Sequence, residues 1–165
     1  MTRTYLSERT RLWPMVTVLL IVVAAAGLAV DGVVHLDLAS TYAPVRTSVL
    51  SEADLFRAQG VVAVVAALLL IGRPRRYSTV IAAVVAGSAL AVLLVYRYYD
   101  VGRLGPIPSM YEPVWYGEKT LAAIAEGAAL VAAVVLVTVL TGRSASTGPH
   151  IGAAAASHGA DQPIR

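Results

Sequence analysis

The sequence contains no cysteine and few charged residues. The missing cysteines exclude disulfides, thiolate metal sites, cysteine nucleophiles and haem attached through thioethers. Charged residues make up 14% of the 165 positions, whereas a soluble domain carries about 25%. So few charges cannot cover a water-exposed surface, and we interpret the chain as an integral membrane protein.

The sequence also lacks the short motifs of soluble enzymes. It has no G-x-S-x-G elbow, no phosphate-binding loop, no H-E-x-x-H pair and no basic, aromatic surface for nucleic acid. A hydrolase of the soluble type is therefore not supported, no cofactor is indicated, and we expect no nucleic-acid partner. We expect a non-enzymatic role rather than an enzymatic one.

Apolar residues dominate what is present. They make up 58% of the chain, and the mean hydropathy is +0.71. A membrane-spanning helix needs about 20 apolar residues, and the apolar runs supply four spans, near 13–36, 52–72, 77–99 and 118–140. The prediction is an all-α fold in one domain, residues 1–142, forming a membrane-embedded four-helix bundle. A cleaved signal ending near Ala29 is the alternative to the first span, but that run exceeds the usual 7–15 apolar residues of a signal.

Residues 143–165 have no apolar periodicity and are rich in Ala, Gly, Ser and His. Such a segment buries too little surface to offset its ordering entropy. We predict a disordered cytoplasmic tail.

The basic residues are distributed unequally between the two sides, which predicts an orientation because arginine and lysine near span ends stay in the cytoplasm. The termini and the 73–76 turn hold eight basic residues against Glu8 and Asp161. The opposite side holds five basic residues against eight acidic ones. We therefore expect a multi-pass plasma-membrane protein with both termini cytoplasmic and the loops near 37–51 and 100–117 facing outward.

Small residues four positions apart recur in the spans, for example Ala63 with Ala67 and Ala123 with Gly127. Such residues let helix backbones approach closely in lipid. They favour a tightly packed bundle with no large internal cavity.

Two ionisable residues fall inside the spans at similar depth. Counted at about 1.5 Å per residue from the cytoplasmic ends, Arg57 lies roughly 22 Å along the second span and Glu126 roughly 21 Å along the fourth. A charge in hydrocarbon usually faces the bundle interior and finds a partner. We predict an Arg57–Glu126 ion pair; a proton relay or a ligand counter-ion is the functional alternative.

Asp31 and His35 are four residues apart, which places them on one face of the first helix. A histidine beside a carboxylate can bind a divalent metal or pass protons. Two ligands do not make a site, and we expect a hydrogen-bonded interfacial histidine and no metal.

The segment 97–119 separates the last two spans and is rich in proline, glycine and aromatic residues. It suits the headgroup region of the bilayer, either as an interfacial anchor or as an ordered outer loop that folds over the helix ends as a lid. A lid would close a polar chamber. The candidate residues of that chamber are Asp31, His35, Arg57, Arg97, Arg103, Glu112, Glu118 and Glu126.

Several segments, above all 105–115 (Gly-Pro-Ile-Pro-Ser-Met-Tyr-Glu-Pro-Val-Trp), carry a resemblance to known proteins. The segment 105–115 and the four shorter segments 35–39, 55–59, 99–102 and 118–119 resemble those of a group of small four-span actinobacterial integral membrane proteins. No activity is assigned to that group. The resemblance implies an actinobacterial plasma membrane. In size and span number the chain is also similar to DoxX-like membrane proteins, in architecture only.

Two classes of function follow from these observations. In the first, the protein is a non-enzymatic accessory or structural membrane component, whose partners are the lipid bilayer and a membrane protein or a second copy of the chain. In the second, it binds a small ligand, quinone, ion or proton under the 100–117 loop. A cavity beside the buried charges would favour the second class.

Overall fold

A computed structural model of the protein describes residues 2–145 and contains four helices and no extended strand over that range. The helices are α1 (Thr2–Leu38), α2 (Glu52–Gly72), α3 (Arg76–Tyr98) and α4 (Gly117–Ala145). Their apolar portions, Pro14–Leu38, Glu52–Gly72, Arg76–Tyr98 and Gly117–Gly142, are each long and apolar enough to cross a membrane. The predicted all-α four-helix fold is confirmed, and the chain is a multi-pass membrane protein.

Two helices extend beyond the predicted spans. α1 begins at Thr2 instead of near residue 13 and continues through Pro14, because the residues before that proline include good helix formers such as arginine, leucine and glutamate. α4 continues to Ala145, past the predicted start of the tail at 143. The remainder of the predicted disordered tail lies outside the described residues.

The start of α2 follows from its sequence. The Ser51 hydroxyl accepts a hydrogen bond from the Asp54 amide at 3.2 Å, and the Asp54 carboxylate accepts one from the Ser51 amide at 3.0 Å. This reciprocal cap satisfies amides that the first helical turn leaves free. The predicted helix start is confirmed.

Glycine governs how closely α1 approaches its two main neighbours. A Cβ atom at Gly27 would lie 2.5 Å from the Ala125 carbonyl of α4, and one at Gly60 of α2 would lie 3.0 Å from the Gly32 carbonyl of α1. A side chain larger than hydrogen therefore has no room at these crossings. α1 is consequently in close contact with both α4 and α2, and α3 packs mainly on α4.

The core between the helices consists mainly of alanine, with Leu28, Leu70 and Leu136 as its largest fully buried apolar side chains. Many valine and leucine side chains point outward instead, including Val18, Leu19 and Leu68. This arrangement suits a bundle surrounded by lipid, where helices associate through small residues.

A cavity of about 580 Å³ lies between α2, α3 and the 101–112 segment, at the end of the bundle opposite the 73–75 turn. The expectation of a bundle without a large cavity is therefore wrong. Small residues draw α1 against α2 and α4, but α2 and α3 make less contact than the other adjacent pairs. The short turn connects α2 and α3 at one end only, and the cavity occupies the other end.

Candidate functional site

Two carboxylates are buried together inside the bundle. Asp31 of α1 is 0% exposed and Glu126 of α4 is 1% exposed. Asp31 lies one helical turn after Gly27, and Glu126 directly follows Ala125. The close crossing of α1 and α4 at Gly27 therefore brings these two side chains to the same place. With His35, which is four residues after Asp31, they form what we call the buried cluster.

The three side chains of the buried cluster converge. One ligand atom from each of Asp31, His35 and Glu126 can be chosen so that all three lie within 4.8 Å of one another. The Nδ1 atom of His35 lies 2.7 Å from the Asp31 Oδ1 atom and 3.0 Å from the Asp31 backbone oxygen. The predicted shared face of Asp31 and His35 is confirmed.

Gln59 of α2 completes the surroundings of Asp31. Its Nε2 atom donates a hydrogen bond of 3.0 Å to the Asp31 Oδ2 atom. Gly60, the next residue, lies at a close contact of α2 with α1. The packing of α2 on α1 thus fixes the orientation of the Asp31 carboxylate.

Three oxygen atoms of the buried cluster have no hydrogen-bond donor. Both carboxylate oxygens of Glu126 lack one, and so does Asp31 Oδ1. Asp31 Oδ1 lies 2.7 Å from His35 Nδ1, and the two form an ion pair when the imidazole is protonated. A charged side chain in the hydrocarbon core costs roughly 2.5–3.5 kcal/mol on insertion scales. Such a group is expected to bind a proton or a cation.

The predicted Arg57–Glu126 ion pair is wrong. Arg57 is exposed, and its Nη1 atom lies 3.3 Å from the Asp54 Oδ1 atom on the same helix. Arg57 and Gln59 differ by two positions, about 200° of rotation around a helix with 3.6 residues per turn. Because Gln59 faces Asp31, Arg57 must point away from the bundle interior.

The cavity next to the buried cluster has mostly apolar walls. They are formed by side chains such as Leu55, Phe56, Val92 and Leu104. Polar side chains also line the cavity, namely His35, Glu52, Gln59, Ser88, Tyr96, Glu112, Tyr116 and Lys119. His35 and Gln59 therefore border both the cavity and the buried cluster.

A second polar group, which we call the outer network, joins the two loops above the helices and consists of Tyr42, Glu112, Tyr116 and Lys119. The Tyr42 hydroxyl donates to Glu112 Oε2 at 2.7 Å and lies 2.7 Å from the Tyr116 hydroxyl. Lys119 Nζ donates to the Glu112 backbone oxygen at 2.7 Å and lies 3.7 Å from Glu112 Oε2. The outer network holds the 100–117 segment over the cavity.

Burial raises the pKa of Tyr42 well above its usual range, and hydrogen bonds with Tyr116 and Glu112 raise it further. Burial likewise raises the pKa of Tyr116, with the negative charge of Glu112 as a further cause. Both phenols consequently keep their protons at neutral pH and remain hydrogen-bond donors.

The structure brings some of the proposed chamber residues together and separates others. Asp31, His35 and Glu126 meet in the buried cluster, and Glu112 borders the cavity. The guanidinium of Arg97 lies 5.0 Å from the Tyr98 ring centre and 5.4 Å from that of Trp115. The remaining three chamber candidates are exposed: Arg57, Arg103 and Glu118.

Sequence reasoning did not assign a site role to Glu52, Gln59, Tyr42, Tyr116 or Lys119. Glu52 lies in the first turn of α2, is 5% exposed and lines the cavity. Gln59 had a usable signal, since an amide within an apolar span needs a hydrogen-bond partner. No such signal exists for the tyrosines, because an aromatic residue at the end of a span suits the lipid interface as well as it suits a site.

No protein-family model, curated protein or solved structure matches this chain.

Proposed function

We propose that this membrane protein binds a small, lipid-soluble ligand with a polar head, of which an isoprenoid quinone is an example. The ligand occupies the cavity between α2, α3 and the 101–112 segment. The observation that carries this proposal is the cavity itself, whose volume of about 580 Å³ lies within the range of about 300–1,000 Å³ typical of small-molecule sites.

The distribution of polarity in the cavity indicates the ligand's chemistry. The apolar walls suit the hydrocarbon portion of a ligand. The polar residues can form hydrogen bonds with its carbonyl or hydroxyl head; they are His35, Glu52, Gln59 and Tyr116. The Nδ1 atom of His35 is engaged by Asp31. Its Nε2 atom is therefore the one that His35 offers to a ligand.

The cavity also favours this function over a purely structural role. A packing subunit has no need for an open volume beside buried polar groups. The 100–117 segment, held by the outer network, then acts as the roof of the site.

The test is to fill the cavity from one of its walls. Ala89 of α3 is 8% exposed and lines the cavity, whereas Ala128 of α4 is exposed and does not line it. Ala89→Phe should weaken binding of a short-chain quinone to the full chain in lipid nanodiscs at least tenfold, and Ala128→Phe should leave it unchanged. Equal binding by the two variants, or no saturable binding by the wild type, would contradict the proposal.

We further propose that the protein lies in the plasma membrane of an actinobacterium, with both termini in the cytoplasm and the cavity in the outer half of the bilayer. The unequal distribution of arginine and the resemblance of the 105–115 segment support this. A cysteine introduced at Ser48 should react with a membrane-impermeant thiol reagent in intact cells, whereas one introduced at Ser7 should not. The reverse pattern would contradict the orientation.

A further inference from the structure

The unpartnered oxygens of the buried cluster point to a ligand that the cavity proposal does not use. We propose that Asp31, His35 and Glu126 bind one divalent transition-metal ion, such as Zn²⁺ or Mn²⁺, inside the helix bundle. This inference goes beyond the cavity ligand, because the two carboxylates meet at the contact of α1 with α4; His35 is the one residue that the two sites share.

Charge is the first argument. Asp31 and Glu126 are two carboxylates that are 0% and 1% exposed, and three basic residues near the outer end contact other groups. Arg57 pairs with Asp54, Lys119 contacts Glu112, and Arg97 lies against aromatic rings. A divalent cation neutralises two carboxylates and leaves a neutral imidazole as the third ligand.

Geometry is the second argument. The three ligand atoms lie within 4.8 Å of one another, so a small rotation of the side chains would place them around a metal at the usual distances of about 2.0–2.2 Å. Both Glu126 oxygens and Asp31 Oδ1 are buried and have no donor. The Glu126 oxygens are therefore available to coordinate a cation, and Asp31 Oδ1, which lies 2.7 Å from His35 Nδ1, would join them.

The support around the ligands is the third argument. Metal-binding carboxylates are commonly oriented by a hydrogen bond to their other oxygen, and Gln59 donates such a bond to Asp31 Oδ2. Asp31 and His35 share one face of α1, and the close packing at Gly27 fixes α1 against α4. The ligands are thus carried by rigid helices rather than by loops.

The donor set indicates the metal class. Imidazole nitrogen favours zinc and iron over calcium and magnesium, while carboxylates also suit manganese. Three protein ligands leave at least one coordination position open. Because His35 also borders the cavity, an ion could enter from that side.

The test uses Zn²⁺ as the probe and the full chain in lipid nanodiscs, freed of purification tags. Equilibrium dialysis followed by metal analysis should give one tightly bound zinc ion per chain. Asp31→Asn and Glu126→Gln should each weaken binding at least tenfold. Asp37→Asn and Glu118→Gln are matched controls, since both residues are exposed on the same two helices, and they should bind as the wild type does. Equal binding by all variants would overturn the proposal.

X-ray absorption of the zinc-loaded wild type needs no variant and keeps the proposal testable if the substitutions prevent folding. The expected spectrum contains one imidazole nitrogen and carboxylate oxygens. A shell with two or more imidazoles would overturn the proposal. So would the absence of bound zinc together with an infrared carboxylic-acid band that disappears in Glu126→Gln, because the two carboxylates would then share a proton instead.

Discussion

The buried cluster and the outer network both contain carboxylates, but they differ in how completely their hydrogen bonds are satisfied. In the outer network, Glu112 accepts a hydrogen bond from Tyr42 at 2.7 Å and lies 3.7 Å from the Lys119 ammonium. In the buried cluster, Glu126 is almost fully buried and neither of its oxygens has a donor. A carboxylate whose oxygens accept hydrogen bonds stabilises the fold. A buried carboxylate whose oxygens accept none indicates that a proton or a cation binds there.

The largest expected effect comes from separating α1 from α4, which would break the buried cluster and leave the loops in place. Gly27→Ala puts a methyl group 2.5 Å from the Ala125 carbonyl, and overpacking of this kind typically costs about 1–3 kcal/mol. Unfolding of the purified chain in mixed micelles should show that loss of stability.

Gly127→Ala on α4 is the control for this experiment, since a Cβ atom there meets nothing within 4 Å. It should leave the stability unchanged or raise it by up to about 1 kcal/mol, because alanine favours a helix more than glycine does. Equal losses from the two changes would show that the close α1–α4 crossing is wrong.

Replacing either glutamate by glutamine compares the two regions directly. Glu112→Gln weakens charge-assisted hydrogen bonds with Tyr42 and should lower the free energy of unfolding by about 1.5 kcal/mol. Glu126→Gln removes a buried charge that has no donor. In the presence of a chelator, this substitution should therefore raise the free energy of unfolding. A loss from Glu126→Gln as large as that from Glu112→Gln would mean that Glu126 already has a partner.

The smallest expected effect concerns alkaline pH. Tyr42 and Tyr116 have raised pKa values in the folded protein, so they retain protons that the unfolded chain loses above about pH 10. Their contribution to stability is present below that pH and is lost as the pH rises. Tyr42→Phe should reduce this alkaline loss, whereas Tyr77→Phe, at the opposite end of the bundle, should not. The measurement is the thermal unfolding midpoint of each variant between pH 9 and 11. The same loss of stability in both variants would contradict this prediction.

The sequence was sufficient to predict the four spans and the start of α2. Each span is a long apolar run, and Ser51 with Asp54 forms a recognisable cap. The contact between Asp31 and His35 was also predictable, since residues four apart on a helix share a face.

The rotation of each helix could not be predicted in the same way. The apolar residues of α2 are spread around the whole helix, so their pattern gives no preferred inner face. The depth count therefore selected Arg57 as the partner of Glu126, although Gln59 two residues later is the one that faces inward. That choice depends on where the glycines of α1 and α2 meet, which is a property of three-dimensional packing.

The resemblance to actinobacterial four-span proteins, the cytoplasmic termini and the chamber as a functional site remain predictions. Three of the chamber residues, Arg57, Arg103 and Glu118, are exposed and belong to neither proposed site. The cavity could not be predicted from the small residues in the spans, because those residues set the distances to α1 and not the distance between α2 and α3.

The dependence of stability on metal tests most directly the claim that the buried cluster binds a cation. The thermal unfolding midpoint of the wild type in nanodiscs should be several degrees higher with Zn²⁺ than with a chelator, because an ion that binds only the folded state stabilises it. Glu126→Gln should show little or no difference between the two conditions. A wild-type midpoint that is the same with zinc and with chelator would contradict the account.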